Sequence, residues 1–126
     1  MALAGAMEFQ TMDATAKPDR PVDLVHLARH TLGNRDLERE VLRLFVRQSA
    51  VYLGRLRNAR TAGEMRVAAH TIKGSARGIG AWRIAELANL FEEAAAEGAT
   101  MDDAALADLA AAIEAANDYI HTVLSD

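Results

Sequence analysis

The sequence predicts an all-α protein: an antiparallel up-down-up-down four-helix bundle with an additional short N-terminal helix. Three observations carry that prediction. Alanine supplies 27 of the 126 residues, proline two, and aromatics only 5%. Alanine is the strongest helix former, whereas sheets favour aromatic and β-branched residues. Apolar residues recur at steps of three and four along successive long segments, the period of an amphipathic helix. The links between those segments are short, which sets consecutive helices side by side and antiparallel.

Composition removes several functions. Apolar residues make up 51% and charged residues 25%, typical of one soluble domain with a real core. Acidic residues outnumber basic ones by 18 to 14, a formal charge of −4. A general nucleic-acid binder would normally be basic. Without cysteine, disulfides, thiol catalysis and Cys-type zinc or iron–sulfur sites are excluded. No apolar run approaches the roughly 20 residues that span a bilayer. No glycine-rich loop of an ATP-binding kinase is present. The expectation is therefore a soluble domain that binds neither nucleic acid nor membrane.

Residues 1–21 differ from the rest. They hold three Met, small residues and no sustained period. They lack the basic start of a secretory signal, and Glu8 breaks the apolar stretch. The run Gly5-Ala6-Met7-Glu8-Phe9 is compatible with an expression scar. This segment is expected to be a flexible arm with room for a short helix, closed by Pro18 and Pro21. Residues 22–126 form the expected helical domain.

Asp23 caps a short first helix through Leu24, Leu27, Ala28 and Leu32, and Gly33 stops it. Asn34 or Asp36 caps a second helix, about 35 to 59, with Leu37, Val41, Leu44, Phe45, Gln48, Tyr52 and Leu56 as its inner stripe. Arg35, Arg39, Arg43 and Arg47 line another face at i, i+4 spacing. Thr61 with Glu64 is a capping box opening a third helix, about 62 to 77, with Gly78 as a left-handed stop and Gly80 in the same turn. A fourth helix, about 81 to 96, buries Ile84, Leu87, Ala88, Phe91 and Ala95 and ends at Gly98. Thr100 and Asp103 start the last helix, with Leu106, Leu109, Ile113, Ala116, Ile120 and Val123 as a heptad-like seam. That seam fits either a bundle or a dimer made through the last helix.

Chemistry enters on the third helix. At about 100° per residue, Arg66, Lys73, Gly74 and Arg77 fall on the same face as His70, and Met65, Ala68, Ala69, Ile72, Ala76 and Ile79 fall opposite. His70 therefore faces outward. Gly74 inside a helix costs roughly 1 kcal/mol against alanine, and a missing side chain one turn from His70 admits another molecule. The chain has twelve Arg but only two Lys, Lys17 and Lys73. A compact ammonium beside an imidazole suits a single anionic group on that ring. Histidine is also a nucleophile near neutral pH. These features point to a histidine that accepts a phosphoryl group, with Lys73 balancing its charge. The bland alternative is a solvated face, since arginines at i±4 are common decoration.

The run His70-Thr71-Ile72-Lys73-Gly74-Ser75-Ala76, followed by Ile79-Gly80-Ala81, resembles the signature of the histidine-containing phosphotransfer (HPt) domain. Ile84, Leu87 and Phe91-Glu92 continue the pattern, and Leu44-Phe45 resembles the apolar-Phe motif of the preceding helix. The resemblance covers roughly residues 22 to 124. It implies a four-helix bundle whose His70 carries the phosphoryl group on Nε2. It implies shuttling between aspartates of response-regulator receiver domains, with a hybrid sensor histidine kinase upstream. Such a protein is a phosphoryl carrier rather than an autonomous kinase. No cofactor is bound, and the Mg²⁺ needed for transfer sits on the partner receiver. A cytoplasmic monomer is the accompanying expectation.

In the family the residue 22 positions after the histidine is often Gln or Glu and holds the ring; here it is Glu92. Antiparallel geometry supports it independently. About a turn near residues 78–81, residues whose numbers sum to about 160 lie level, so Glu92 falls within one turn of His70. The other readings are a solvated Glu92 beside Glu93, and Asn89 as the ring's partner. The partner-binding face would comprise Gly74, Arg77, Arg66, Val67 and Ser75. Trp82 is either a docking aromatic or buried at the bundle end. His26 and His30 stand four apart, but no third ligand with supporting spacing follows, so no metal site is expected. A non-transferring module that binds a receiver or kinase, and a plain helical interaction protein, are the alternatives.

Overall fold

The computed structural model describes residues 20–126; the N-terminal arm expected from the sequence lies outside them up to residue 19. Among the described residues there are five helices and no strand: α1 (Leu24–His30), α2 (Arg35–Arg57), α3 (Ala62–Ile79), α4 (Trp82–Ala96) and α5 (Asp103–Ser125). The four longer helices form the antiparallel bundle. α3 packs on α2 and α4, α5 closes the bundle against the same two, and α1 lies across α3. No helix among these residues is long and apolar enough to cross a membrane.

Four of the five helix starts have a side-chain cap, all but that of α4. Asp23, Asn34, Thr61 and Asp102 accept hydrogen bonds from backbone N–H groups three residues on, satisfying donors that a first turn leaves free. Glu64 reaches back past the cap residue and accepts from Arg60 N at 2.7 Å, so the reciprocal bond goes to the residue before Thr61 rather than to Thr61 itself. The cap of α5 is thus Asp102, not Thr100, because a carboxylate at that position reaches Ala105 N at 2.9 Å.

The core runs along one stripe of each bundle helix. Met65, Ala68, Ala69, Ile72, Ala76 and Ile79 of α3 are all buried, as are Ile84, Leu87, Ala88, Phe91 and Ala95 of α4. On α5, Leu109, Ile113, Ala116 and Ile120 are buried within the chain, so the heptad-like seam serves the bundle. Complete burial of a side chain such as Leu109 or Ile120 contributes about 1.5–3 kcal/mol.

The sequence misplaces three features. On α2, Leu37 and Leu44 are half-exposed, and the buried line is Leu42, Phe45, Ser49 and Leu56. The inner ridge includes a serine, which disguises it. Ser49 accepts from Asn117 Nδ2 of α5 at 3.3 Å and donates to Val46 O. On α1, Leu32 lies beyond the helix, 93% exposed, at φ 55°. The buried Thr31 hydroxyl lies 3.1 Å from both Leu27 O and Glu38 Oε2, which fixes the chain's exit toward α2.

The third feature is the end of α3. The helix passes through Gly78 and stops at Gly80, whose φ is 76°. Ile79 belongs to the core stripe, so the helix runs on until it is buried. Ala81 N then donates to Ala76 O at 2.8 Å, closing a Schellman-type turn. Asp23 N donates to Gly80 O at 3.0 Å, and a Cβ on Gly80 would stand 2.6 Å from that of Asp23. Glycine is therefore required twice here, by the backbone angle and by α1.

Candidate functional site

α3 presents a charged crest to solvent because its other face is filled by the core. His70 stands on that crest with 65% of its side chain exposed. The α3–α4 hairpin, set by the turn at Gly80-Ala81, brings α4 alongside. Glu92 Oε2 lies 2.8 Å from His70 Nδ1, and Glu92 Oε1 lies 2.6 Å from Lys73 Nζ. Lys73 also donates to Asn89 Oδ1 at 3.2 Å.

This arrangement fixes protonation. Lys73 foremost, and His70 after it, hold the Glu92 carboxyl below its ordinary range, outweighing the partial burial that would raise it. An ionised carboxylate only accepts hydrogen bonds. Nδ1 of His70 therefore carries the proton, and in the neutral ring Nε2 keeps its lone pair. Nε2 has no hydrogen-bond partner among the described residues. Glu92 Oε1 has no hydrogen bond of good geometry, so the close ammonium is its main compensation.

The remaining residues singled out by sequence divide. Arg66, Val67, Gly74 and Arg77 are exposed on the His70 side of α3. A Cβ built on Gly74 meets no atom within 4 Å, so packing inside the chain does not demand glycine there. Ser75 is half-buried, beside Phe45, Ser49 and Tyr52 of α2, turned away from the crest. Lys73 is mostly buried against α4 rather than standing free beside His70. Asn89 contacts Lys73 and not the ring. The rule that placed Glu92 puts residue 87 level with Lys73, within one turn of Asn89, so this pairing was within reach of the sequence.

Trp82 is half-exposed and belongs to the α1 attachment. Its Nε1 donates to Asp23 Oδ2 at 3.2 Å, and its ring meets that of His26 edge-on at 4.8 Å. His26 Nε2 donates to Arg77 O at 2.9 Å, and His30 Nδ1 donates to His26 O at 3.0 Å. Among the described residues no cluster of three or more His, Asp or Glu could hold a metal ion. Sequence gave no sign of an apolar groove of about 640 Å³ between α2 and α3, lined in part by Val51, Tyr52, Arg55, Val67 and Ala68.

Comparison with known proteins agrees with this geometry. The family model described as Hpt domain matches residues 40–120. Among solved structures, the histidine phosphotransferase ShpA from Caulobacter crescentus is similar, with 30% identity and a TM-score of 0.64. The match covers 83% of this chain and 91% of that one. No curated protein sequence matches. On the extent of that family match, the chain belongs to the Hpt domain family.

Proposed function

We propose that His70 is the phospho-accepting residue of this phosphorelay intermediate, taking a phosphoryl group from a receiver-domain aspartate and passing it to another receiver. The observation that carries this is an exposed imidazole whose Nδ1 is tied to a carboxylate while Nε2 is free.

Each residue has a role that chemistry supports. The receiver's aspartyl phosphate docks over α3, and His70 Nε2 attacks phosphorus in line. An N–P bond forms, the acyl P–O bond breaks, and its electron pair leaves on the aspartate. Nδ1 keeps its proton, so the ring gains positive charge, which Glu92 offsets. Lys73 holds Glu92 in the resting protein and, one helical turn from His70, supplies positive charge to offset that of the phosphoryl oxygens. This is positioning and electrostatic work rather than acid–base catalysis. On this reading the Mg²⁺ used in transfer belongs to the receiver.

The test is direct. A cognate receiver, charged by a small phosphodonor, should pass acid-labile, alkali-stable label to the wild type and none to His70→Gln. Receiver binding without label would make the chain a non-transferring module. Gly74→Gln probes close approach: helix content should be unchanged and transfer slowed about tenfold or more, as a misplaced donor requires. Transfer at the wild-type rate would remove Gly74 from the docking face.

A further inference from the structure

We propose that Asn89 is a positioning residue for phosphoryl transfer: its amide oxygen pins Lys73 on Glu92, and Glu92 in turn fixes the His70 ring. This rests on the reading of His70 as the phospho-acceptor.

Lys73 carries three N–H donors on a stem of four rotatable bonds. Two directions are occupied, one toward Glu92 Oε1 at 2.6 Å and one by Asn89 Oδ1 at 3.2 Å. The orientation of the Asn89 amide is settled by its second partner. Its Nδ2 donates to Glu93 Oε2 at 3.0 Å, so the oxygen faces the ammonium. A cation on one side and a carboxylate on the other demand the same placement. The result is a continuous chain, Glu93–Asn89–Lys73–Glu92–His70, linked by three hydrogen bonds and the Lys73–Glu92 ion pair.

The residue type matters. A carboxylate at position 89 would compete with Glu92 for the single ammonium and add a charge next to Glu92 and Glu93. An amide supplies an acceptor without that competition. Lys73 is thereby held where it compensates Glu92 Oε1, which has no other partner. Losing the second anchor frees the lysine to swing toward water and leaves Glu92 undercompensated. The ring then loses its fixed tautomer and its aim.

Three variants test this on the full chain, with circular dichroism as the check on folding. Asn89→Leu removes the acceptor and should slow transfer from a charged receiver about tenfold, less than the ~100-fold that a 1 Å misplacement can cost. The receiver concentration giving half-maximal rate should stay the same, as expected of a residue that acts through Lys73 rather than on the partner. The ¹⁵N shifts of His70 should move toward a tautomer mixture. Asn89→Gln keeps a neutral acceptor and should retain most of the rate. In a Lys73→Met background, Asn89→Leu should add no further loss, because it acts through the lysine. Full-speed transfer by Asn89→Leu, an equal loss in Asn89→Gln, or an additive loss in the double variant would each overturn the proposal. Failure of the wild type to take any label is a different result: it overturns the phospho-acceptor reading, and this proposal with it.

Discussion

Two histidines lie along α3, His70 at its middle and His26 against its last turn, and they are used in opposite ways. His26 gives its Nε2–H to Arg77 O, has its ring flanked by Trp82 and His30, and has its backbone N–H taken by Asp23. It joins α1 to a carbonyl in the last turn of α3, where a donor is favourable. His70 instead gives its Nδ1–H to a carboxylate and leaves Nε2 to solvent. The difference lies in which nitrogen stays free and in what kind of acceptor holds the other. A carbonyl fixes a ring. An ionised carboxylate fixes it and also stabilises the charge that a substituent on Nε2 creates.

The largest expected effect separates the two directly. His70→Gln should abolish acceptance of label from a charged receiver. His26→Gln should retain transfer and lose about 1 kcal/mol of stability in urea unfolding, the worth of one intramolecular hydrogen bond. Loss of labelling in His26→Gln, with the fold intact, would erase the distinction.

Next is Gly80→Ala, which strikes the turn that both regions share. The left-handed φ costs a non-glycine residue about 1–3 kcal/mol, and the new methyl would meet Asp23 Cβ at 2.6 Å. Stability should fall by about 2 kcal/mol or more, and α1 should become protease-sensitive first. An unchanged unfolding midpoint would show that α1 is not held by this contact.

How far these regions could be read from the sequence follows from the kind of signal each leaves. The crest of α3 was legible because the helical period separates six buried apolar residues from His70, Lys73 and Gly74. Glu92 was legible because a short turn fixes which residues of a hairpin lie level. The α1 attachment was not, because Asp23, His26 and Trp82 meet through tertiary contact, and Trp82 alone suggested docking or burial with equal force. The inner ridge of α2 was misread for a related reason. Ser49 is buried through its bond to Asn117, and a hydrogen bond across 68 residues leaves no periodic trace. Gly78 misled because a glycine near a helix end resembles a stop, although the helical period had already set Ile79 on the buried stripe.

A third prediction uses pH. The Glu92 carboxyl is lowered, with Lys73 the main cause. A depressed carboxyl contributes stability above its unfolded pKa of about 4.3 and loses it as pH falls through the folded value. Wild-type stability should therefore drop as pH goes below about 4.3, and Glu92→Gln should flatten that drop. The same variant keeps an acceptor for Nδ1–H but loses the charge, so transfer at neutral pH should slow without vanishing. An unaltered acid slope would mean that Lys73 and Glu92 do not form a working pair in solution.

The smallest effect is the most discriminating for the boundary between the regions. Trp82→Phe keeps an aromatic edge against His26 but removes the donor to Asp23 Oδ2. Burial raises the Asp23 carboxyl, yet hydrogen bonds from His26 N and Trp82 outweigh it and leave the group lowered. Losing one of them should shift Asp23 back toward its ordinary range. It should destabilise the fold by about 0.5–1 kcal/mol, since the bond is partly exposed. Asp23 still caps α1 through Oδ1, so the helix should persist. Phosphoryl transfer should not change, because nothing in this attachment reaches His70. A slower transfer with stability intact would move Trp82 from the α1 attachment to the docking face, and the region around His26 would then belong to the reaction surface.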